Sequence, residues 1–287
     1  MSDSIRSFRL GTARVSIITV GDVEAPLTTW MDPPAGGWPP DIAPLVTQRQ
    51  RVSQNCVFVQ LGAVSVLVDA SRFVPGAEPA ISIPNYVSPP DLIAALASLG
   101  VQPEQVTDIV LTHVHRDHID GLTMTREGAE VPAFPKARCH LGQADWDRPE
   151  TQKALADRAS LESRTLGLLQ QAGLLELTSG RKLLGAGVEI IPAPGETPGH
   201  QLLRIASGGE ILYCAGDLIH APFEVEKIEF AVPWAEPRSM LASRQSLFER
   251  AAAEDAIVVA THIPAPGRLR RENGGFMWID AGSLSSG

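Results

Sequence analysis

No run of apolar residues in this chain approaches the ~18 that a membrane helix needs. The first ten residues, Met1 to Leu10, are polar and lack the apolar centre of a secretory signal. A basic surplus is also missing: the net charge is −9, which argues against the broad basic face that nucleic acid requires. Blocks of like charge and internal repeats are absent too. Cysteine is scarce, with Cys56, Cys139 and Cys214 forming no CxxC pair, so neither a disulfide framework nor a zinc ribbon is encoded. Cys56 and Cys214 lie in apolar runs and read as buried thiols, and unpaired usage fits a reducing compartment. These absences together point to the cytoplasm, without membrane or nucleic-acid partners.

What remains is ordinary globular material. Apolar residues make up 44% of 287, enough for one large α/β domain or two small ones. Ala13 to Val20 reads as a strand. Gly21 to Pro44 reads as a loop with six prolines and with Trp30, Met31 and Trp38. The Pro-rich part, 26–44, is either a lid over a cleft or a surface loop. Gln54 to Leu61 and Ala63 to Asp69 form a hairpin about Gly62. A second Pro-rich loop spans Phe73 to Pro90, and Asp91 to Leu99 is a helix ended by Gly100. Thr151 to Ala172 reads as one long helix. Short strands follow at Leu174 to Leu177, Arg181 to Leu184 and Val188 to Ile191. A hairpin joins Gln201 to Ala206 with Glu210 to Ala215. Arg238 to Ala253 is a helix with Met240, Leu241, Leu247 and Phe248 inward, and Ala256 to Ala260 is a strand.

One stretch stands apart. Val106 to Leu111 is a β-branched, buried-strand pattern, and Thr112-His113-Val114-His115-Arg116-Asp117-His118-Ile119-Asp120-Gly121 follows directly. Residues two apart in an extended segment point the same way, so His113 and His115 can reach one ion together. Asp117 and His118 face a second point as the chain turns, and Gly121 relaxes that turn. A single histidine is ordinarily a core or surface residue, and His140 is read as structural. Three imidazoles and a carboxylate within six residues are different, because uncoordinated they would leave polar groups without partners at the edge of a core. The cluster therefore reads as a metal site.

This HxHxDH run after a hydrophobic strand resembles the metallo-β-lactamase superfamily. Further pieces follow in order: His200 in Gly195-Glu196-Thr197-Pro198-Gly199-His200, Asp217 in Tyr213-Cys214-Ala215-Gly216-Asp217, and His262 in Val259-Ala260-Thr261-His262. The resemblance runs from about Val15 to about Ile279. It implies one domain over 1–287 with a four-layer αβ/βα sandwich, two mixed sheets face to face with helices outside. It implies two divalent metal ions, zinc first and iron or manganese as alternatives. His113, His115 and His200 would bind one ion, Asp117, His118 and His262 the other, and Asp217 would bridge them. For Asp69 two readings stand: a brace for the metal loop, as an acid here is in relatives, or a strand-end turn former.

The activity so implied is hydrolysis by a hydroxide shared between the ions. Asp117 is a candidate for handling the leaving group's proton. Asp217 stands where common zinc β-lactamases have cysteine, His115 where di-iron flavoproteins have Glu, and no long helical segment follows His262 as in glyoxalase II relatives. Two branches remain, the N-acyl-homoserine lactonases and the methyl-parathion-hydrolase-like group, the second favoured by Gly-Asp-Leu-Ile-His and by Pro264 to Gly267. The substrate is then a small lactone or carboxyl ester, with phosphotriesters as an extension. His220 replaces the tyrosine that lactonases carry three residues past the bridging Asp. It is a candidate catalytic residue or a partner of a ligand carboxylate. Trp30, Trp38, Phe223, Phe230 and Trp234 are candidates for an apolar pocket. A noncatalytic metal-binding sensor of the same fold is the alternative, and a homodimer is expected only by analogy with relatives.

Overall fold

Alternating polar and apolar residues from Ser7 to Val15 demand one covered sheet face and one solvated face. The computed structural model, which describes residues 4–34, 36–72 and 90–282, meets that demand with two seven-stranded mixed sheets. The first sheet runs β1 (Ile5–Leu10), β2 (Ala13–Pro26), β3 (Arg49–Leu61), β4 (Val64–Val68), β5 (Asp108–Val110), β8 (Arg138–Gly142), β9 (Leu175–Thr178). Between β5 and β8 the chain makes a small separate hairpin, β6 (Thr123–Arg126) and β7 (Ala129–Pro132). The second sheet runs β10 (Lys182–Gly185), β11 (Val188–Pro192), β12 (Gln201–Ser207), β13 (Glu210–Gly216), β14 (Ile257–Ala260), β15 (Gly267–Glu272), β16 (Gly275–Asp280).

Three apolar layers hold the sandwich. Val57, Val59, Val66 and Val110 from the first sheet meet Leu203, Ile205, Leu212 and Val259 from the second between the sheets. Outside the first sheet, Leu92 and Leu96 of helix α2 pack on Leu67, Ile109 and Leu111; α2 spans Leu92–Ser98 and follows the short α1 (Ala43–Thr47). The short helices α3 (Arg116–Ile119), α4 (Gln143–Trp146), α5 (Pro149–Ala156) and α6 (Leu168–Gln171) lie on the same half of the chain. Outside the second sheet, beyond α7 (Phe223–Glu226), helix α8 (Pro237–Ala253) packs Met240, Leu247, Phe248 and Ala251 against Tyr213, Ala215 and Val258.

Sheet direction explains where polar residues collect. In an otherwise antiparallel arrangement, β4, β5, β8 and β9 are parallel to one another, and so are β13 and β14. The carboxyl ends of β4, β5, β13 and β14 meet at one edge, the end at which parallel-sheet proteins gather their chemistry. Main-chain bonds lock the two sheets together there: Gln201 N–H donates to Thr112 O at 2.9 Å, and Asn55 N–H to Thr261 O at 3.0 Å. The Gln201 side chain adds bonds to Leu111 O and His140 O.

Four expectations need correction. The strand from Ala13 continues through Pro26, and its partner begins at Arg49, because Asp22 is held by Arg51 across the pair. The Gly21 to Pro44 loop is accordingly shorter and also contains a 3-10 turn at Leu27–Thr29. The long helix is broken: α5 stops at Ala156, where the Asp157 carboxylate takes the Ala159 N–H, and a π-helical turn at Ser163–Gly167 precedes α6. Leu241 is 41% exposed, and the inward position beside Met240 belongs to Arg244. Gly121 has no left-handed backbone; its lack of a side chain matters because a Cβ would lie 2.8 Å from Ala70 O. The expected loop Phe73 to Pro90 lies, but for Pro90, outside the described residues. All three cysteines are buried and free, and no helix among the described residues is long and apolar enough to cross a membrane.

Candidate metal centre

The proposed donors lie at or near strand ends and in the turn that follows β5. His113 and His115 follow β5, His200 immediately precedes β12, Asp217 follows β13, and His262 lies two residues past β14. Asp117 and His118 lie in the single turn of α3, whose backbone is held from β4: Ala70 N–H donates to His118 O at 3.0 Å, and Ser71 Oγ donates to Asp117 O. Gly216 lets β13 come this close. Its φ is +57°, and a Cβ there would lie 2.7 Å from the Thr112 Cβ and 2.8 Å from His200 Nε2.

The side chains converge. Asp217 Oδ2 lies 3.1 Å from His262 Nε2, 3.3 Å from His118 Nε2 and 3.7 Å from His113 Nε2. Asp117 Oδ2 lies 3.5 Å from His262 Nε2 and 3.7 Å from His118 Nε2. His113 Nε2 and His115 Nδ1 are 2.8 Å apart, and the His113 and His200 ring centres are 5.3 Å apart. Two donors that share one tetrahedral ion at about 2.1 Å stand about 3.4 Å apart, so these carboxylate–imidazole spacings suit cations.

The outer ring nitrogens are already engaged. His118 Nδ1 meets Asp69 Oδ2 at 2.8 Å, His200 Nδ1 meets Ala193 O at 3.1 Å, and His262 Nδ1 meets Ser53 O at 2.9 Å. Those contacts fix the tautomers and leave Nε2 of each ring aimed at the centre. Meanwhile His118 Nε2, His200 Nε2 and Asp217 Oδ1 are buried without any hydrogen-bond partner. Buried polar atoms left this way are costly unless a cation engages them. The donor set, imidazoles with a shared carboxylate, fits a divalent metal centre. Among the described residues, two groups satisfy metal-ligand proximity: His113, His115, Glu196 and Asp217, and Asp117, His118 and His262; His200 stands beside the first, its ring centre 5.3 Å from that of His113.

Asp69 occupies the bracing position. It accepts the Thr112 N–H at 2.7 Å, the Thr112 hydroxyl and the His118 ring, and it does so from a left-handed backbone with φ 59° that Asp tolerates better than most residues. His140 lies elsewhere, buried and bonded to Asp108 Oδ1 at 2.8 Å.

Electrostatics of the ion-free chain follow the geometry. Burial pushes His113 well below its usual range, His115 down to about 4 and His200 to about 3, so these rings are neutral and ready to ligate. Burial would lower His118 and His262 as well, but the surrounding carboxylates together outweigh it, Asp217 with Asp69 and Asp117 at His118 and Asp217 with Asp117 at His262, and hold both above the ordinary value. Asp217 in turn lies well below the carboxylate range, because His262 and His118 overcome its burial.

The centre opens into a cavity of about 410 Å³, within the usual range for small-molecule sites. Leu27, Trp30, Met31, Val52, Val232 and Trp234 give it an apolar wall; Asp22, Arg72, Arg116 and Asp120 give it a polar one. Of the five aromatic candidates, Trp30 and Trp234 line the cavity. Trp38 instead stacks on Phe230 at 5.6 Å, and Phe230 meets Phe223 at 6.1 Å, in the layer behind that wall. The start of the Pro-rich segment is thus a wall anchored by buried Leu27 and Met31.

His220 lines the cavity 3.7 Å from Asp217 Oδ2, its ring stacked on His262 at 5.8 Å. Burial would lower its pKa, but Glu196, Glu224 and Asp217 raise it to about 9. Glu224 holds the loop: its Oε2 accepts the N–H groups of His220 at 2.5 Å and Ala221 at 2.9 Å, and its Oε1 accepts Arg244 Nη2 at 2.5 Å. Sequence reasoning passed over Glu196, Glu224 and Arg244. The Pro-Gly frame around Glu196 was a signal for the first; a lone Arg on the apolar face of α8 was the only signal for the pair.

The sequence description of the metallo-beta-lactamase superfamily matches residues 49–262, well over half of the chain. The chain belongs to the metallo-beta-lactamase superfamily. Among curated members, a Mycobacterium bovis protein described as "Probable metallo-hydrolase" is 25% identical over 212 residues, 66% of this chain and 65% of that one. An N-acyl homoserine lactonase from Bacillus sp is 24% identical over 184 residues, 63% of this chain and 65% of the relative. The aligned region thus spans 65% of the length of each of these relatives. Two solved structures match almost end to end. The hydrolase AbOPH gives a TM-score of 0.76 at 20% identity, covering 98% of both chains. AidC, described as a dizinc quorum-quenching lactonase with a bound product, gives 0.75 at 20% identity, covering 99% of this chain and all of that one. Identities this low establish a shared fold, the αβ/βα sandwich expected from sequence.

Proposed function

We propose that this chain is a dinuclear metal-dependent hydrolase that opens a small lactone or carboxyl ester, with phosphotriesters as a second class of substrate. One observation carries the reading: His118 Nε2, His200 Nε2 and Asp217 Oδ1 are buried without a hydrogen-bond partner, while ligand atoms of His113, His115 and Asp217, and of Asp117, His118 and His262, lie close enough to share ions. His113, His115 and His200 would hold one ion, Asp117, His118 and His262 the other, and Asp217 both. Zinc suits the imidazole-rich set, and the carboxylates also admit iron or manganese. When bound, the ions would supply an acidified water as nucleophile and positive charge for the developing oxyanion. The curated lactonase relative supports the substrate class by likeness.

The chain's own residues do the rest. The apolar wall of Leu27, Trp30, Met31 and Trp234 receives the acyl or alkyl part of the substrate and excludes water from one side. His220, protonated near neutrality, donates a hydrogen bond to the substrate carbonyl from the position it shares with Asp217. Asp117 is 39% exposed and can pass a proton between the centre and solvent as the leaving oxygen departs.

Elemental analysis should find two ions per chain, and a panel of lactones, aryl esters and phosphotriesters should reveal turnover. His115→Ala should abolish that turnover with the fold retained. Full activity in the variant rules out this assignment of the centre.

A further inference from the structure

Glu196 is a buried acid at the centre that the seven-donor set does not use. Its side chain is fully enclosed, and Oε2 has no hydrogen-bond partner. Its other oxygen, Oε1, accepts the Trp234 indole N–H at 2.6 Å and stands 3.4 Å from His115 Nδ1. The backbone that aims it is fixed from both sides. Thr197 Oγ1 and Gly199 N–H each donate to Asp145 at 2.7 Å, and Glu236 N–H donates to Gly195 O at 2.8 Å. Glu196, His113, His115 and Asp217 offer ligand atoms all within 4.8 Å of one another.

We propose that Glu196 is a further ligand of the ion that His113 and His115 hold, adding an eighth donor to the centre. The proposal rests on the metal-centre reading above. A competing partner is His220, whose Nε2 lies 3.8 Å from Glu196 Oε2, beyond hydrogen-bond length. The 3.4 Å separation from His115 instead matches two donors sharing one ion. Two consequences follow. An added hard oxygen donor moves that position's preference from zinc toward manganese or iron. Occupancy of the ion is also tied to Trp234, a wall of the substrate cavity, whose indole N–H bonds the same oxygen, Oε1, that stands 3.4 Å from His115 Nδ1.

The test measures metal binding apart from turnover. Wild-type protein and Glu196→Gln are titrated with Mn(II) and Zn(II) against a competing chelator, with circular dichroism as the check on folding. The expected result is an affinity loss of about 10–100-fold at one of two positions, larger for Mn(II) than for Zn(II). Unchanged affinities at both positions overturn the proposal. A crystal structure of the metal-loaded wild-type protein decides the matter without any variant. A Glu196 oxygen about 2.0–2.2 Å from an ion supports it; a carboxylate turned to His220 with both ions bound elsewhere overturns it alone. A wild-type chain that takes up no ion overturns this proposal together with the reading beneath it.

Discussion

Arg244 is completely buried on α8 and makes four bonds, to the Glu224 carboxylate and to the carbonyls of Leu218, Ile228 and Phe230. The perturbation to make is Arg244→Met, which keeps the volume and removes the charge. Glu224 would then keep its two backbone N–H partners and the His220 ring 3.7 Å away but lose its guanidinium, and breaking such a buried pair costs about 3–5 kcal/mol. The pKa direction points the same way. Burial alone would raise Glu224, yet Arg244 and His220 bring it from an ordinary 4.5 to about 2. At about 1.4 kcal/mol per tenfold, that net depression is worth about 3 kcal/mol, shared between Arg244 and His220 against burial, and so only of the same order. A depressed carboxylate contributes stability above its unfolded value and loses it as pH falls, so the wild-type contribution is full above about 4.5 and gone below about 2. In the variant the lone carboxylate gains by taking up a proton. The stability gap between the two proteins should therefore be widest near pH 7 and shrink toward pH 4. Urea denaturation of the metal-free proteins at both pH values measures it. A gap under about 1 kcal/mol, or one that ignores pH, refutes the assignment of this pair as the strut of the His220 loop. With metal restored, the variant should also lose kcat while binding its ions normally, because the strut touches His220 and none of the seven donors.

Metal binding should release protons. His118 and His262 are held above their ordinary value in the ion-free chain, so each must deprotonate to ligate, and apparent affinity should rise with pH through the neutral range. Calorimetry in buffers of different ionisation enthalpy counts those protons, and a count of zero contradicts the charge arrangement described. Asp69→Asn keeps a residue suited to φ 59° and removes the charge that orients His118. Metal affinity should fall about 10–100-fold with little change in fold, measured by chelator competition; an unchanged affinity reduces Asp69 to a turn former.

Several of the proposed donors could be given a direction from sequence because they follow a strand whose apolar pattern announces its end. His113 and His115 two apart on an extended segment, and Asp217 after Leu212 to Gly216, need only strand geometry to be assigned a direction. The four-layer arrangement followed from the same strands and from the family resemblance. The partners of these donors were not legible. Asp69 read equally well as a turn former, since its role depends on a left-handed φ and on a loop 43 residues away. The Glu224–Arg244 pair joins residues 20 apart on two elements, and the apolar periodicity of α8 pointed to Leu241 instead. Helix length failed at Asp157 because a side chain competing for backbone N–H groups leaves no trace in hydrophobic periodicity.

A distinction of physical kind underlies this division. Donors must face the ions, so the strand that carries them fixes their type and spacing within a few residues. Supporting groups need only reach the donors, and any element passing behind the site can supply one. That freedom is what Asn55 and Gln201 use. Asn55 on β3 bonds to Ala260 O and Ile263 O on either side of His262, and Gln201 on β12 bonds to Leu111 O just before His113. Each sheet's ligand loop is thus held from the opposite sheet. The spacing between the two halves of the centre is set by the packing of the whole sandwich, so core substitutions between β4 and β13, far from any donor, should change metal affinity before they unfold the chain.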